Sequence, residues 1–549
     1  MKRPRTANLG QLHSLTSSFL FRMLVAFVFV TALTTTWIFV RLDNLGLHPE
    51  VSHSKRTSST KHQDESSSYD KNNDNDDDKP HIYPKLPYLP IFPSIDNEEA
   101  LIEQTLHDNR PTIAGIAAIL YRFLSDLHKS NQHLAETKGE FANKDERVER
   151  IRKAYFQLAQ KHFVPLDDAY RGRSVFQIRD DDSVFVSVAS FREHLLVDTL
   201  ASAYSAAAHP EKLFVGVIVN NCFGIDEPCK GSPKVVGKDK NGRDVLEIQD
   251  GVPDVNHIAA FCHNSTFQQY CDNGQVRVLY INETDALGPA VTRYYSSKLW
   301  GGETYYVQVD SHLRFADRWD ALYIEDLHLA KNYPKAVLST YPPGFVNFRQ
   351  SPPFTPGTRL CRCQMRSNEG FLPRIEMEGR CKENATRPTQ MSFIGAGFFF
   401  ARAEFLVDVP FDPFLPWLFM GEEVALSIRA WTSGWNIYAP RKNLIGHQYR
   451  PLQMHTPHYW TSVARLFSDN HMVDAVTLTV RKRIKTMIGY PGFAETEAGD
   501  DDPSRVTYGL DRYGLGKIRA PQDYLKFAEV DLEKQTCGPM TWCSEGQLE

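Results

Sequence analysis

Between residues 183 and 219 two short apolar runs flank one helical segment, and that pattern restricts the fold more than any other feature of the chain. Ser183-Val184-Phe185-Val186-Ser187-Val188-Ala189 is a continuous apolar run rich in β-branched residues, the composition of a strand covered on both faces. Leu195 to Ala208 reads as a helix, and Leu213 to Val219 as a second buried strand. Strand, helix and strand within so short a span make a βαβ unit, whose strands lie parallel. Val276 to Ile281 adds a third strand after a cysteine-bearing loop. Leu287-Gly288-Pro289 opens a helix through Lys298, and Tyr305-Tyr306-Val307-Gln308-Val309 is a further strand. This α/β half-sheet has the look of a nucleotide-binding unit, yet it carries neither GxGxxG nor GxxxxGK. Neither a dinucleotide fold nor a P-loop is indicated.

Ligand sites in open α/β sheets collect at the carboxyl ends of the strands. The last of these strands runs straight into Asp310-Ser311-His312. An Asp-x-His pair in a strand-ending turn can aim a carboxylate oxygen and a ring nitrogen at one point, which suits a divalent cation such as Mn²⁺. The plainer reading is a capping Asp followed by a solvated His.

The second half is less regular. Ala336 to Thr340 reads as another strand, and residues 342 to 390 as a long Pro/Gly/Arg/Cys-rich loop, a length at which loops are usually functional. Ser392 to Ala401 reads as a strand with glycines where another backbone or a ligand can approach. Gly421-Glu422-Glu423 precedes a helix to Thr432, and Gly446-His447 lies in the apolar segment from Leu444. Two adjacent carboxylates before a helix serve equally as caps favoured by its dipole. Ahead of the sheet, about 97 to 162 is helical, with Ile113, Ile116, Ile119, Leu120 and Phe123 on one stripe.

The N-terminus sets the compartment. Residues 1 to 22 are basic, and Met23 to Val40 is an uncharged, mostly apolar run between Arg22 and Arg41. At about 1.5 Å per residue it reaches roughly 27 Å, enough for a thin endomembrane bilayer. Basic residues on its N-terminal side predict a cytosolic tail and a lumenal remainder. A cleaved signal peptide, with Val30-Thr31-Ala32 at the cleavage site, is the other reading. Residues 41 to 95 form a polar, then Pro-punctuated stem of disordered composition. Three sequons, at Asn264, Asn282 and Asn384, agree with a secretory route. The nine cysteines cluster as Cys222/Cys229, Cys262/Cys271, Cys361/Cys363/Cys381 and Cys537/Cys543. In an oxidising lumen they predict local disulfides rather than zinc ligands, with one thiol left over. A net charge of -5 without a basic stripe gives no footprint for nucleic acid.

Taken in order, Ser190-Phe191-Arg192-Glu193, Asn220-Asn221, Gly288-Pro289 with Arg293, and Asp310-Ser311-His312 resemble the polypeptide α-N-acetylglucosaminyltransferases. Gly395-Ala396-Gly397-Phe398, Gly421-Glu422-Glu423, Gly446-His447 and the tail Arg512-Tyr513-Gly514-Leu515-Gly516-Lys517-Ile518-Arg519 complete the match, which spans about residues 183 to 532. The resemblance implies a GT-A fold: a sugar-nucleotide-binding sheet over 181–455, a helical lead-in at 96–180 and a C-terminal extension at 456–549 packed on it. It also implies Mn²⁺ or Mg²⁺, UDP-GlcNAc as donor and retention of the anomeric configuration. The acceptor would be a Ser/Thr (or hydroxyproline) polypeptide, and the enzyme a single-pass type II protein of the Golgi membrane. Asp310-Ser311-His312 replaces the usual Asp-x-Asp. By similarity to the mucin-type GalNAc-transferases, His447 would join Asp310 and His312 as metal ligand. Ser190, Arg192, Asn220, Arg293 and Ser311 would contact the donor nucleotide, and Glu422 and Glu423 would lie near sugar or acceptor hydroxyls. Another UDP-hexose, a glycan acceptor, or a non-catalytic lumenal lectin or adaptor on the same scaffold are the alternative readings.

Overall fold

The computed structural model describes residues 95–137, 144–225, 227–239, 244–449, 459, 470–492 and 503–547. The expected tail, anchor and stem at 1–22, 23–40 and 41–95 lie outside the described residues, save residue 95. Among the described residues no helix is long and apolar enough to cross a membrane.

Three helices lead in: α1 (Glu98–Leu106), α2 (Ile113–Glu136) and α3 (Lys144–Ala169). The Thr112 side chain caps α2 by accepting the Gly115 N–H. Ile116, Ile119, Leu120 and Phe123 recur at helical spacing, so one face of α2 is fully buried.

The βαβ unit follows as β1 (Val184–Phe191), α4 (Leu196–Ala206) and β2 (Leu213–Asn221), with Val184 opposite Leu213 in parallel register. A hairpin then leaves the sheet, β3 (Ser232–Lys238) against β4 (Asp244–Gln249). The chain returns as β5 (Val276–Asn282), α5 (Pro289–Lys298) and β6 (Tyr305–Asp310). β5 lies parallel to β2, while β6 lies parallel to β1 on its other side. The strand order therefore reverses at β1, and the carboxyl ends of β1 and β6 flank a crevice of the kind where α/β sheets take ligands.

The remainder supplies β7 (Leu313–Phe315), α6 (Trp319–Leu329), β8 (Ala336–Ser339), β9 (Arg362–Met365), β10 (Pro373–Glu376), β11 (Thr389–Met391), β12 (Phe398–Arg402), α7 (Glu422–Thr432), β13 (Asn436–Ala439) and β14 (Ile445–His447). The main sheet runs β11-β13-β8-β12-β6-β1-β2-β5, with β12 antiparallel to both β6 and β8. It is mixed rather than parallel throughout, and fits the GT-A expectation. The strand expected at 392–401 is shorter: only Phe398–Arg402 pairs, and Gly395 to Gly397 turn across the end of β6 instead.

Side-chain alternation splits the core. Val184, Val186 and Val188 pack on the face with α4 and α6, whereas Phe185 packs with α2, α3 and α5 on the other. The C-terminal segment carries α8 (Asn470–Ile488), α9 (Pro521–Phe527) and the pair β15 (Val530–Asp531) and β16 (Thr536–Cys537). Arg483 of α8 is buried against Asp412, and the Tyr524 hydroxyl of α9 donates to the Ser392 carbonyl at 3.0 Å.

Cys222–Cys229 and Cys262–Cys271 are the local bridges expected. The other expectation is corrected: Cys361 pairs with Cys543 and Cys363 with Cys537, 182 and 174 residues away, leaving Cys381 as the buried thiol. Residues two apart on extended chain are about 6.6 Å apart, at the upper limit of a disulfide's Cα–Cα span. The C-terminal partners sit at 5.4 and 5.7 Å. The Asn282 sequon is also unsuited to a glycan in the folded chain, because its side chain is buried at the end of β5.

Candidate active site

β6 delivers Asp310 to the crevice, and the turn that follows carries Ser311 and His312 into β7. β14 lies antiparallel to β7 with His447 opposite Leu313. Two further bonds hold that clip, from the Gln448 N–H to the His312 carbonyl at 3.0 Å and from the His447 N–H to the Pro343 carbonyl at 2.9 Å. The result brings together residues 137 apart in sequence. His447 Nε2 lies 3.2 Å from Asp310 Oδ2 and 3.1 Å from His312 Nε2.

These three residues offer ligand atoms all within 4.8 Å of one another. One carboxylate oxygen and two imidazole nitrogens suit a Mn²⁺-type cation, which accepts both donor kinds. Three protein ligands would leave positions open for substrate oxygens. Burial alone would raise the Asp310 carboxyl, but the His447 hydrogen bond and the His312, His447 and Arg293 charges outweigh it and hold the group below the usual carboxylate range. Burial lowers the His312 imidazole, favouring the neutral ring a metal requires.

Beneath Asp310, Arg293 on α5 is buried and bridges two segments. It pairs with Glu422 through Nη1, and through Nη2 with Asp310 Oδ1 at 3.3 Å and the Ala396 carbonyl at 3.1 Å. Its two terminal nitrogens thus hold the Asp310 carboxylate and the start of α7. Glu423 is locked separately: its oxygens accept the Tyr341 hydroxyl at 2.6 and 2.7 Å and the Ala396 N–H at 2.8 Å. Burial pushes the Glu423 carboxyl up to about 7, Glu422 adds to the rise, and these hydrogen bonds and Arg293 offset only part of it.

The residues expected to contact the donor nucleotide divide. Ser190 and Asn220 end β1 and β2 side by side, with Asn220 Nδ2 donating to the Ser190 carbonyl at 2.8 Å. The Ser190 hydroxyl and Asn220 Oδ1 are buried and have no hydrogen-bond partner among the described residues. Unpaired buried polar atoms are uncommon in folded chains and leave room for a partner such as water, an ion or a ligand. Ser311 is buried in the turn, where its carbonyl accepts the Thr199 hydroxyl. Arg192 departs from the expectation. Its donors go to both oxygens of Asp254, to Glu283, to the Lys230 carbonyl and to the Ser232 hydroxyl. A guanidinium has five N–H groups, so none remains for a nucleotide; Arg192 anchors the turn after β1.

Sequence reasoning gave no role to Glu193 or Tyr341, and read Gly397 only as one of the glycines that admit a close backbone or ligand. Glu193 Oε2 lies 2.9 Å from His312 Nδ1, and its signal was its place in the Ser190–Glu193 motif. A Cβ on Gly397 would sit 3.0 Å from Asp310 Oδ2, so that glycine lets the backbone cross close to the carboxylate. Tyr341 stands in a loop and carried no signal. It opens onto a cleft of about 930 Å³, lined also by Gly344, Phe348, Arg349, Arg380 and Tyr449. The Tyr449 ring lies 4.2 Å from the His447 ring, so the cleft begins beside the cluster of Asp310, His312 and His447.

Comparison with known families decides the class. The sequence model of the family described as glycosyltransferase (GlcNAc) matches residues 183–534. The chain belongs to this glycosyltransferase family. The match takes in every element of the main sheet and every residue of the Asp310, His312 and His447 cluster. The glycosyltransferase also shows distant likeness to solved structures. GalNAc-T7 with UDP, GalNAc and Mn²⁺ shares 13% identity over 63% of this chain, with a TM-score of 0.37. TarS 1-349 of S. aureus in complex with UDP-GlcNAc shares 13% identity over 55% of this chain and 72% of its own, with a TM-score of 0.28. This chain spans 56% of the length of the GalNAc-T7 chain. No curated protein matches the sequence.

Proposed function

We propose that this glycosyltransferase transfers GlcNAc from UDP-GlcNAc, in α linkage and with retention, to Ser or Thr hydroxyls of polypeptides (hydroxyproline being the rarer acceptor). It would act in the Golgi lumen, anchored as a type II membrane protein through residues 23–40. The observation that carries the reading is the convergence of Asp310, His312 and His447 at the crevice between β1 and β6. A divalent cation bound there would stabilise the negative charge that develops on the diphosphate as the glycosidic bond breaks.

The chain's own residues supply positioning. Ser190 and Asn220 present unpaired polar atoms to the nucleotide side, and Arg293 fixes the Asp310 carboxylate from beneath. Both nearby acids are committed, Glu422 to Arg293 and Glu423 to Tyr341 and Ala396. Neither stands free as a nucleophile. A retaining transfer in which the leaving phosphate oxygen takes the acceptor hydroxyl's proton on the same face needs none. The cleft beside His447 is of ligand-site size and suits an extended polypeptide.

The test incubates the full chain with Mn²⁺ and a panel of UDP-sugars, and follows UDP release with and without a Thr/Pro-rich peptide. Peptide-stimulated turnover of UDP-GlcNAc, lost in His312→Ala and with chelator, supports the reading. Turnover of another donor moves the substrate. No turnover of any donor together with no metal-dependent UDP binding overturns it.

A further inference from the structure

The geometry points to Glu193 as the positioning residue of the metal site: it fixes the proton of His312 on Nδ1 and presents the Nε2 lone pair to the cation. The inference rests on the metal-site reading above.

Glu193 stands two residues beyond the end of β1 and its side chain is 1% exposed. The chain reaches it through Arg192, a non-glycine residue at φ 48, in the left-handed region that side chains usually avoid. The full set of bonds from Arg192 to Asp254, Glu283, Lys230 and Ser232 holds this turn in place. The turn aims Glu193 across the crevice. Its Oε2 meets His312 Nδ1 at 2.9 Å, while Oε1 accepts the Leu195 N–H at 3.0 Å and lies 3.3 Å from His194 Nδ1. Both carboxylate oxygens are thereby placed by the protein rather than by solvent.

An ionised carboxylate can only accept, so the His312 proton must sit on Nδ1. Nε2 is then the unprotonated nitrogen, and it is the one that faces His447 Nε2 at 3.1 Å. A carboxylate behind an imidazole also raises the basicity of the coordinating nitrogen, and loss of such a partner typically weakens metal affinity about 10- to 100-fold. Among the described residues, His312 has no other hydrogen bond to orient its ring apart from the one to His447 within the cluster. The ring's placement therefore depends on Glu193.

The experiment titrates the full chain with Mn²⁺ by electron paramagnetic resonance, without donor or acceptor, and pairs each titration with a thermal melt. Glu193→Gln keeps the shape and an acceptor oxygen but not the charge, and is expected to bind Mn²⁺ about 10-fold more weakly, with Glu193→Ala weaker still. In a His312→Ala background Glu193→Gln is expected to change affinity less than about 2-fold, because its effect runs through that ring. The inference is overturned if Glu193→Gln binds like the parent while His447→Ala does not. It is also overturned if Glu193→Gln costs the same with and without His312, since Glu193 then acts only on the fold. A parent chain that binds no Mn²⁺ overturns the metal reading itself, whatever Glu193 does.

Discussion

The two long-range disulfides are nested, and that nesting sets a quantitative expectation. Cys361–Cys543 closes 182 residues and Cys363–Cys537 closes 174. In the chain-entropy treatment, a loop of that length removes about 5 kcal/mol of unfolded-state freedom. Once either bridge is formed, the other closes only the small ring made by two residues on one side and six on the other. A ring of that size is worth about 2.5 kcal/mol by the same relation. Removing either bridge alone, as Cys361→Ala/Cys543→Ala or Cys363→Ala/Cys537→Ala, should therefore cost about 2.5 kcal/mol. Removing both should cost about 8 kcal/mol, well beyond twice the single loss. Urea unfolding of the three variants and the parent under non-reducing conditions measures this directly. Because the bridges bind the C-terminal segment to the 342–390 region, the quadruple variant should also lose donor turnover where each double variant retains it. Equal losses of about 5 kcal/mol for each bridge, adding in the quadruple variant, would refute the nested-ring reasoning.

Two further expectations follow from the site. Glu423 has a folded pKa of about 7, above its ordinary carboxylate value, so the cost of ionising it is present in full above pH 7, shrinks as pH falls through 7 and is gone below about 4.5. Glu423→Gln removes that cost, and its stability relative to the parent should rise by about 3 kcal/mol between pH 4.5 and pH 8 by urea unfolding; a pH-independent difference would contradict it. Gly397→Ala places a methyl 3.0 Å from Asp310 Oδ2. It should displace the carboxylate by a few tenths of an ångström and weaken Mn²⁺ binding about 10-fold, read by magnetic resonance, while unfolding stability stays within about 1 kcal/mol.

The first half of the fold was legible because its signals are local. The apolar runs at 184–191, 213–221 and 276–282 each occupy one strand, and Gly288-Pro289 opens its helix where a proline at the first turn belongs. The second half hides its structure in long-range pairing. β12 is an antiparallel strand inserted between β6 and β8, and nothing in Phe398–Arg402 marks its direction. Asp310 and His312 were legible as a motif, and His447 only through resemblance, because its partner strand lies 130 residues upstream. Arg192 was misread for an instructive reason. An arginine at a strand's carboxyl end signals phosphate, but Asp254 and Glu283, which take it up, stand far away in sequence and become neighbours only on folding.

The pairing of β7 with β14 explains why a glycine precedes His447. Successive residues of a strand point to opposite faces, so a slip of one residue would turn His447 away from Asp310 and put its neighbour there. Gly446 lies opposite Arg314, and a Cβ at that position would fall 2.5 Å from the Phe348 ring. Phe348 therefore closes over a position that only glycine can fill, and any other register would drive a side chain into it. The same packing that excludes a side chain at 446 thus holds His447 at 3.2 Å from Asp310 and 3.1 Å from His312. Gly446-His447 works as a unit: the glycine fixes the register, and the register places the imidazole.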